Sequence, residues 1–158
     1  MDFGFVKGDK DPYMKIQKKI IASYNGYNSY LIIVDKKTRY MFVFLSKSKQ
    51  PPIKTVDTFL QKHGISKEHS TDLNLVIRTD RGGKLYGSQK FKDMASKNGY
   101  TIKPTAAGLA SQNGIAERPN RTITETLRVM LMGAGFSATY WSDALIHLVW
   151  VKNRLPHA

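Results

Sequence analysis

Residues 73–83 read LNLVIRTDRGG: an alternating apolar run that ends on Asp80 and breaks at once on Gly82 and Gly83. Leu73, Leu75 and Ile77 alternate with polar or thinner neighbours, the period of a half-buried strand, and the two glycines close it with a turn. The carboxylate is the odd element. Arg78 and Arg81 flank Asp80, so the segment needs no further charge to stay soluble. Either Asp80 caps the turn or it holds a ligand, and the rest of the chain has to be read to choose.

Working outward, a helix is expected on each side of this strand. Upstream, Pro51 and Pro52 precede IKTVDTFLQKHG, where Ile53, Val56, Phe59 and Leu60 recur at helical spacing and Gly64 supplies a stop. Downstream, SQKFKDMASKNG predicts a short helix with Ser88 as N-cap and Gly99 as terminator, followed by an edge-like strand, YTIKPT. Before all of these come MDFGFV, a short strand, then NSYLIIVD and TRYMFVFLS, whose β-branched and aromatic content around DKKT predicts a hairpin. Residues 7–19 read as a long exposed connection, residues 105–114 as a small-residue mobile loop, and two helices are expected over about 115–132 and 138–153, split by GAGFS. Trp141 and Trp150 read as helix-packing residues, and Tyr24, Tyr27, Tyr30 and Tyr40 are expected to serve strand packing rather than base stacking. The order β-β-β-α-β-α-β-α-α defines an α/β chain, a mixed five-stranded sheet flanked by helices.

The 158 residues, 41% of them apolar, suffice for one domain with its own core, spanning 1–158. Lys and Arg number 25 against 12 Asp and Glu, a net charge of +13 that makes a polyanion the first partner to consider. With no cysteine, disulfides, thiolate zinc sites and Cys nucleophiles are excluded together, and His63, His69, His147 and His157 show no metal spacing. No apolar run approaches the ~18 residues of a membrane helix. The chain begins directly on apolar sequence and stops just past a helical pattern, so a larger parent is expected.

Most of the acids sit in evidently solvated settings; Asp2, Asp80 and Glu117 do not. Asp2 interrupts an apolar strand, Asp80 ends one, and Glu117 opens a helix after the small-residue loop. Each has an ordinary explanation: exposure near a terminus, turn formation, or a favourable place at a helix N-terminus. If the first and fourth strands are neighbours, the three can instead converge. Bare carboxylates gathered this way repel unless a cation joins them, and hard oxygen donors suit Mg²⁺ or Mn²⁺. Two such ions support in-line phosphoryl displacement, a chemistry consistent with a basic surface that holds nucleic acid.

Four ordered blocks carry a resemblance: YLIIVDKKTRYMFVFLSKSK (30–49), RTDRGGKLYGSQKF (78–91), SQNGIAERPNRTITETLRVML (111–131) and YWSDALIHLVWVKNRLP (140–156). With them nearly the whole chain resembles the integrase catalytic core of copia-type LTR retrotransposons, relatives of retroviral integrases in the RNase H-like superfamily. The resemblance implies a D, D, E triad at Asp2, Asp80 and Glu117, each catalytic and each a ligand to two Mg²⁺ or Mn²⁺ ions. Asp80 falls at the family's aspartate-Gly-Gly position and Glu117 at its Asn-Gly-x-x-Glu-Arg position, with 36 residues between them. Asp35 falls at the hairpin turn, where a structural role is expected.

The same resemblance implies 3′-end processing, in which water attacks a phosphodiester, and strand transfer, in which a DNA 3′-hydroxyl attacks target DNA. An alternative is a catalytically inactive nucleic-acid-binding or assembly module derived from such an integrase; an RNA–DNA hybrid nuclease has no support from the NGxxER block. Gln112, Asn113 and Gly114 match the family's DNA-contacting loop. Asn120 and Arg121, three and four residues past Glu117, share its helical face and can reach a phosphate, while Lys103, Arg118 and Arg128 are candidates for DNA contact on charge alone. The family commonly has an acid where this chain has Lys84. The resemblance further implies self-association on paired DNA ends and an intracellular setting, in the nucleus for integration or in a cytoplasmic virus-like particle. The zinc module that precedes the core in complete integrases has no counterpart in this cysteine-free sequence.

Overall fold

Ser29–Val34 (β2) and Met41–Ser46 (β3) pair antiparallel over their full six residues, from Ser29 opposite Ser46 to Val34 opposite Met41. Asp35 makes the turn between them: its carboxylate accepts from the Thr38 backbone amide at 2.9 Å and from the Thr38 hydroxyl, and Arg39 takes up a left-handed φ of 62°. That is the structural role expected for this residue, an acid closing a turn on its own backbone. Asp2–Gly4 (β1) adds to the other edge of β2, with Asp2 opposite Ile32 and Gly4 opposite Tyr30. The structure, a computed structural model, describes residues 1–8, 19–63, 75–80, 84–105 and 110–156; the side chains of 105 and 110–121 lie outside that description. The expected connection over 7–19 is closed at its base, where Gly8 donates to the Lys19 carbonyl and Ile21 to that of Val6; its middle, and the expected stop at Gly64, fall outside the described residues.

Val76–Asp80 (β4) and Thr101–Thr105 (β5) pair in parallel, Arg78 opposite Lys103 and Asp80 opposite Thr105. The expected single five-stranded sheet is therefore two, ordered β1-β2-β3 and β4-β5. β1, three residues long, ladders with β2, and no ladder joins it to β4 among the described residues. One bond nevertheless joins the halves, from the Met1 amino group to the Arg78 carbonyl at 2.6 Å.

Helices cover both faces. Ile53–His63 (α1) and Gln89–Asn98 (α2) bury Val56, Leu60, Phe91 and Met94 with Leu31, Ile33 and Ile77. The caps of α2 are as expected: the Ser88 side chain accepts from the Phe91 amide, and Gly99 adopts φ 70°, where any side chain would be strained. On the opposite face, Ala110–Gly133 (α3) and Trp141–Lys152 (α4), the latter led by a short 3₁₀ turn at Ala138–Tyr140, bury Ile123, Leu127, Leu131, Trp141, Leu145 and Leu148 against Tyr30 and Ile32. Each such side chain contributes about 1.5–3 kcal/mol on leaving water. Trp141 is fully enclosed and spends its indole N–H on the Ile21 carbonyl at 3.0 Å.

Two helical expectations change. α3 begins at Ala110, not near 115, so part of the anticipated loop is helix and Pro119 lies within it. Once Ile123, Leu127 and Leu131 anchor the helix, added residues gain backbone bonds, save the one Pro119 cannot donate, without needing an apolar face of their own, and small residues give no periodic signal of that extension. Trp150, expected to pack between helices, is 53% exposed, its ring covered by the Arg154 guanidinium 3.8 Å from the centroid.

Candidate active site

Strand alternation assigns the acids to a face. Met1 and Phe3 pack into the core on the α1/α2 side, which turns Asp2 to the other side along with its register partner Ile32. In β4, Ile77 belongs to the α1/α2 core and Thr79 is buried, so Arg78 and Asp80 emerge on the α3/α4 side. The Met1–Arg78 bond brings these two strands side by side. Asp2 is half-buried and Asp80 exposed, which leaves the pair approachable from solvent.

Electrostatics agree with that placement. Burial pushes the Tyr30 phenol above its ordinary value, a hydrogen bond with the Thr124 side chain opposes this, and the negative charge of Asp2 adds to it. Asp2, Tyr30 and α3 therefore share one neighbourhood. Burial also draws the Met1 ammonium below its usual value, with Asp2 pulling the other way.

Ile123, Leu127 and Leu131 form the stripe of α3 that packs on the sheet, and the exposed Thr124 lies at its edge beside Tyr30. Position 117 is seven residues before Thr124, two turns or roughly 10 Å along the axis, on the same line of the helix. The backbone of Glu117 is helical, as is that of Gln112, Asn113, Gly114, Arg118, Asn120 and Arg121, and the side chains of the six that carry one lie outside the described residues. Lys103 is exposed in β5 directly beside Arg78, and Arg128 is exposed on α3 one turn past Thr124. Arg78, two positions before Asp80 in a strand and hence on the same face, was not singled out by sequence reasoning.

Among the described residues no three His, Asp or Glu side chains are grouped to hold an ion. Asp2 and Asp80 are hard oxygen donors, a donor chemistry that fits Mg²⁺ or Mn²⁺. Of the tyrosines, Tyr30 is core, as expected from strand packing, whereas Tyr24 and Tyr40 are exposed.

Comparison with known proteins gives this geometry a context. No family model matches the chain. The chain is 29% identical over 136 residues to the retrovirus-related Pol polyprotein from transposon TNT 1-94 of Nicotiana tabacum, a match covering 86% of this chain and 10% of that protein. It is 29% identical over 144 residues to the corresponding polyprotein from transposon RE1 of Arabidopsis thaliana (91% and 9%), and 30% identical over 129 residues to the transposon Ty1-PR2 Gag-Pol polyprotein of Saccharomyces cerevisiae (80% and 7%). The chain thus spans about a tenth or less of the length of these curated relatives.

Among solved structures, it superimposes on a chain of the simian T-cell lymphotropic virus intasome bound to PP2A regulatory subunit B56 gamma, with TM-score 0.61, 17% identity and coverage of 87% of this chain and 46% of that one. It also matches the HTLV-2 integrase catalytic core domain in complex with magnesium, in trimeric form, with TM-score 0.51, 22% identity and coverage of 85% and 80%. The fold is that of an integrase catalytic core, an RNase H-like α/β fold. Its homologues are the Pol polyproteins of copia-type retrotransposons. No helix among the described residues is long and apolar enough to cross a membrane.

Proposed function

We propose that this chain is the catalytic core of a retrotransposon integrase, a divalent-metal-dependent polynucleotidyl transferase that trims the 3′ ends of element DNA and joins them to target DNA. The observation that carries the reading is the emergence of Asp2 and Asp80 on one face of two strands tied by the Met1–Arg78 bond, the face on which α3 lies. The wider homology to retrotransposon polyproteins supports it.

Asp2, Asp80 and Glu117 would hold Mg²⁺ or Mn²⁺. When bound, two such ions activate the attacking oxygen and stabilise the leaving one in an in-line displacement at phosphorus. In the first reaction water supplies the oxygen that bonds to phosphorus and the 3′-oxygen leaves; in the second the freed 3′-hydroxyl bonds to the phosphorus of a target phosphodiester, and the target strand's own 3′-oxygen leaves, taking up a proton. Arg78 and Lys103, adjacent across β4 and β5, offer paired cations to the phosphates beside the reacting one. Gln112, Asn113, Gly114, Asn120 and Arg121 would meet DNA from α3, with Arg118 and Arg128 adding to the positive field. Self-association on paired DNA ends accompanies this reading, and sedimentation of the DNA-bound chain tests it.

The deciding experiment is Mg²⁺- or Mn²⁺-dependent joining and disintegration of branched DNA by wild type, Asp80→Asn and Glu117→Gln. Activity in the wild type that vanishes in both variants, with DNA binding kept, is the expected result. A wild type that binds DNA yet joins none under either metal identifies a silent binding module instead.

A further inference from the structure

Lys84 stands four residues past Asp80 and does not wave in solvent. Its ammonium lies 4.9 Å from the Phe5 ring centroid and donates to the Lys49 carbonyl at 3.3 Å. Phe5 follows β1 and Lys49 follows β3, so this one side chain shows that the ends of β1, β3 and β4 come out at the same edge of the sheet, the edge on which Asp80 sits.

The loop it reaches is unusually well fixed for five exposed or half-exposed residues. The fully buried Ser29 hydroxyl donates to the Ser48 carbonyl at 2.6 Å, and the Asn28 side chain donates to that of Lys47 at 2.8 Å. The Asn28 amide donates to the Ser46 carbonyl at 2.9 Å, the Ser48 amide to the Ser46 hydroxyl at 3.1 Å and the Gln50 amide to the Ser48 hydroxyl at 3.0 Å. What this scaffolding displays is Lys47 and Lys49, both exposed, with no acidic residue anywhere from Ser46 to Val56. Lys47 leans toward the Tyr27 ring, 6.0 Å from its centroid. A loop ordered only to close β3 onto α1 has no need of two lysines presented beside a third.

We propose that Lys84, Lys49 and Lys47 form a phosphate rail: successive phosphates of a DNA strand whose reacting bond lies at Asp80 run from Lys84 outward along the loop of residues 46–50. This rests on the polynucleotidyl-transferase reading and adds to it the path of the DNA. A rail held by the fold needs less ordering when DNA arrives than three mobile lysines would. Ammonium groups act as point charges without base selectivity, so the rail positions DNA and reads no sequence.

The test is the salt dependence of duplex binding, by fluorescence anisotropy without divalent ions. The rail variant is Lys47→Gln/Lys49→Gln/Lys84→Gln, in which the side-chain amide introduced by Lys84→Gln keeps a donor for the Lys49 carbonyl. The control is Lys36→Gln/Lys37→Gln/Lys62→Gln, three exposed lysines at the hairpin turn and the end of α1, on the far edge of the sheet. Each phosphate contact contributes about 0.9 to the slope of log K against log salt. The rail variant is expected to lose roughly 2–3 units of slope, the single Lys47→Gln about one, and the control none.

Equal losses in rail and control variants, or no loss in the rail variant, overturn the proposal. Binding through the rail by a chain that joins no DNA with Mg²⁺ or Mn²⁺ leaves the rail standing and removes the catalytic reading; a wild type that binds no duplex removes both.

Discussion

Gly4 faces Tyr30 so closely that a Cβ added at Gly4 would lie 2.7 Å from both the Cζ and the Oη of the tyrosine. The ring cannot retreat: it is buried against Trp141, with a centroid separation of 6.1 Å, and its hydroxyl is engaged with Thr124. Gly4→Ala is therefore expected to destabilise the domain by about 1–3 kcal/mol, the usual cost of overpacking. Urea denaturation measures it. Because both atoms of the clash belong to Tyr30, the same change made in a Tyr30→Leu background should cost clearly less, and strictly additive effects would refute the contact.

Asn153, just past α4, clamps the first residue of β3. Its Oδ1 accepts from the Met41 amide and its Nδ2 donates to the Met41 carbonyl, both at 2.8 Å. Asn153→Ala leaves two main-chain groups of a buried residue short of partners, at a cost of about 1–3 kcal/mol. Asn153→Asp keeps the acceptor, loses the donor and sets a carboxylate against a carbonyl, so it should be at least as damaging. Faster hydrogen exchange at the Met41 amide in Asn153→Ala, and not in Asn153→Asp, would locate the effect; unchanged exchange in Asn153→Ala would argue against the clamp.

Both contacts illustrate what one-dimensional patterning carries and what it omits. β2 and β3 were legible because their β-branched and aromatic runs declare a buried surface, and the ends of α2 because Ser88 and Gly99 act on backbone within a few residues. Asp2 and Asp80 could be singled out as acids that interrupt apolar runs, but their common face depends on β1 lying beside β4, a relation made by Met1 and Arg78, 77 positions apart in the chain. Gly4 looked like any strand glycine; only the partner strand reveals that it makes room for a ring. The early start of α3 was hidden because small residues without an apolar stripe read as loop. The exposed Trp150 was misjudged because helical spacing gives a face, not whether that face is covered.

Asp35 makes a prediction about pH. The Thr38 hydroxyl, then the Thr38 amide, hold its carboxyl below the usual carboxylate value, against a smaller opposition from burial and with still smaller help from Lys37. A group whose folded pKa is depressed contributes stability above its unfolded pKa, about 3.9, and loses it as pH falls through the lower folded value. Wild type should thus shed stability as pH drops below about 4, and Thr38→Val should shed less over that window because the strongest bond is already gone. Urea midpoints between neutral pH and about pH 3, below the unfolded value, measure the difference; parallel curves would deny the turn its electrostatic part.

Asp80 itself separates a turn former from a metal ligand through the sign of its substitution. If Asp80 serves only the turn after β4, replacing it weakens the fold with or without divalent ions. If it shares a face with Asp2 to hold a cation, Asp80→Asn removes an ion's ligand and no contact of the turn, and the metal-free protein should stay about as stable as wild type. Addition of Mg²⁺ or Mn²⁺ should then stabilise the wild type alone, by about 1.4 kcal/mol at a tenfold excess over the dissociation constant. For a domain of this size that is roughly 3–6 °C in melting temperature, reversed by chelator. Glu117→Gln should shrink the rise and Asp35→Asn should not, since Asp35 lies at the turn between β2 and β3, whereas Asp80 ends β4. An equal rise in Asp80→Asn would mean that the ion binds elsewhere, and Asp80 would return to being the end of a strand.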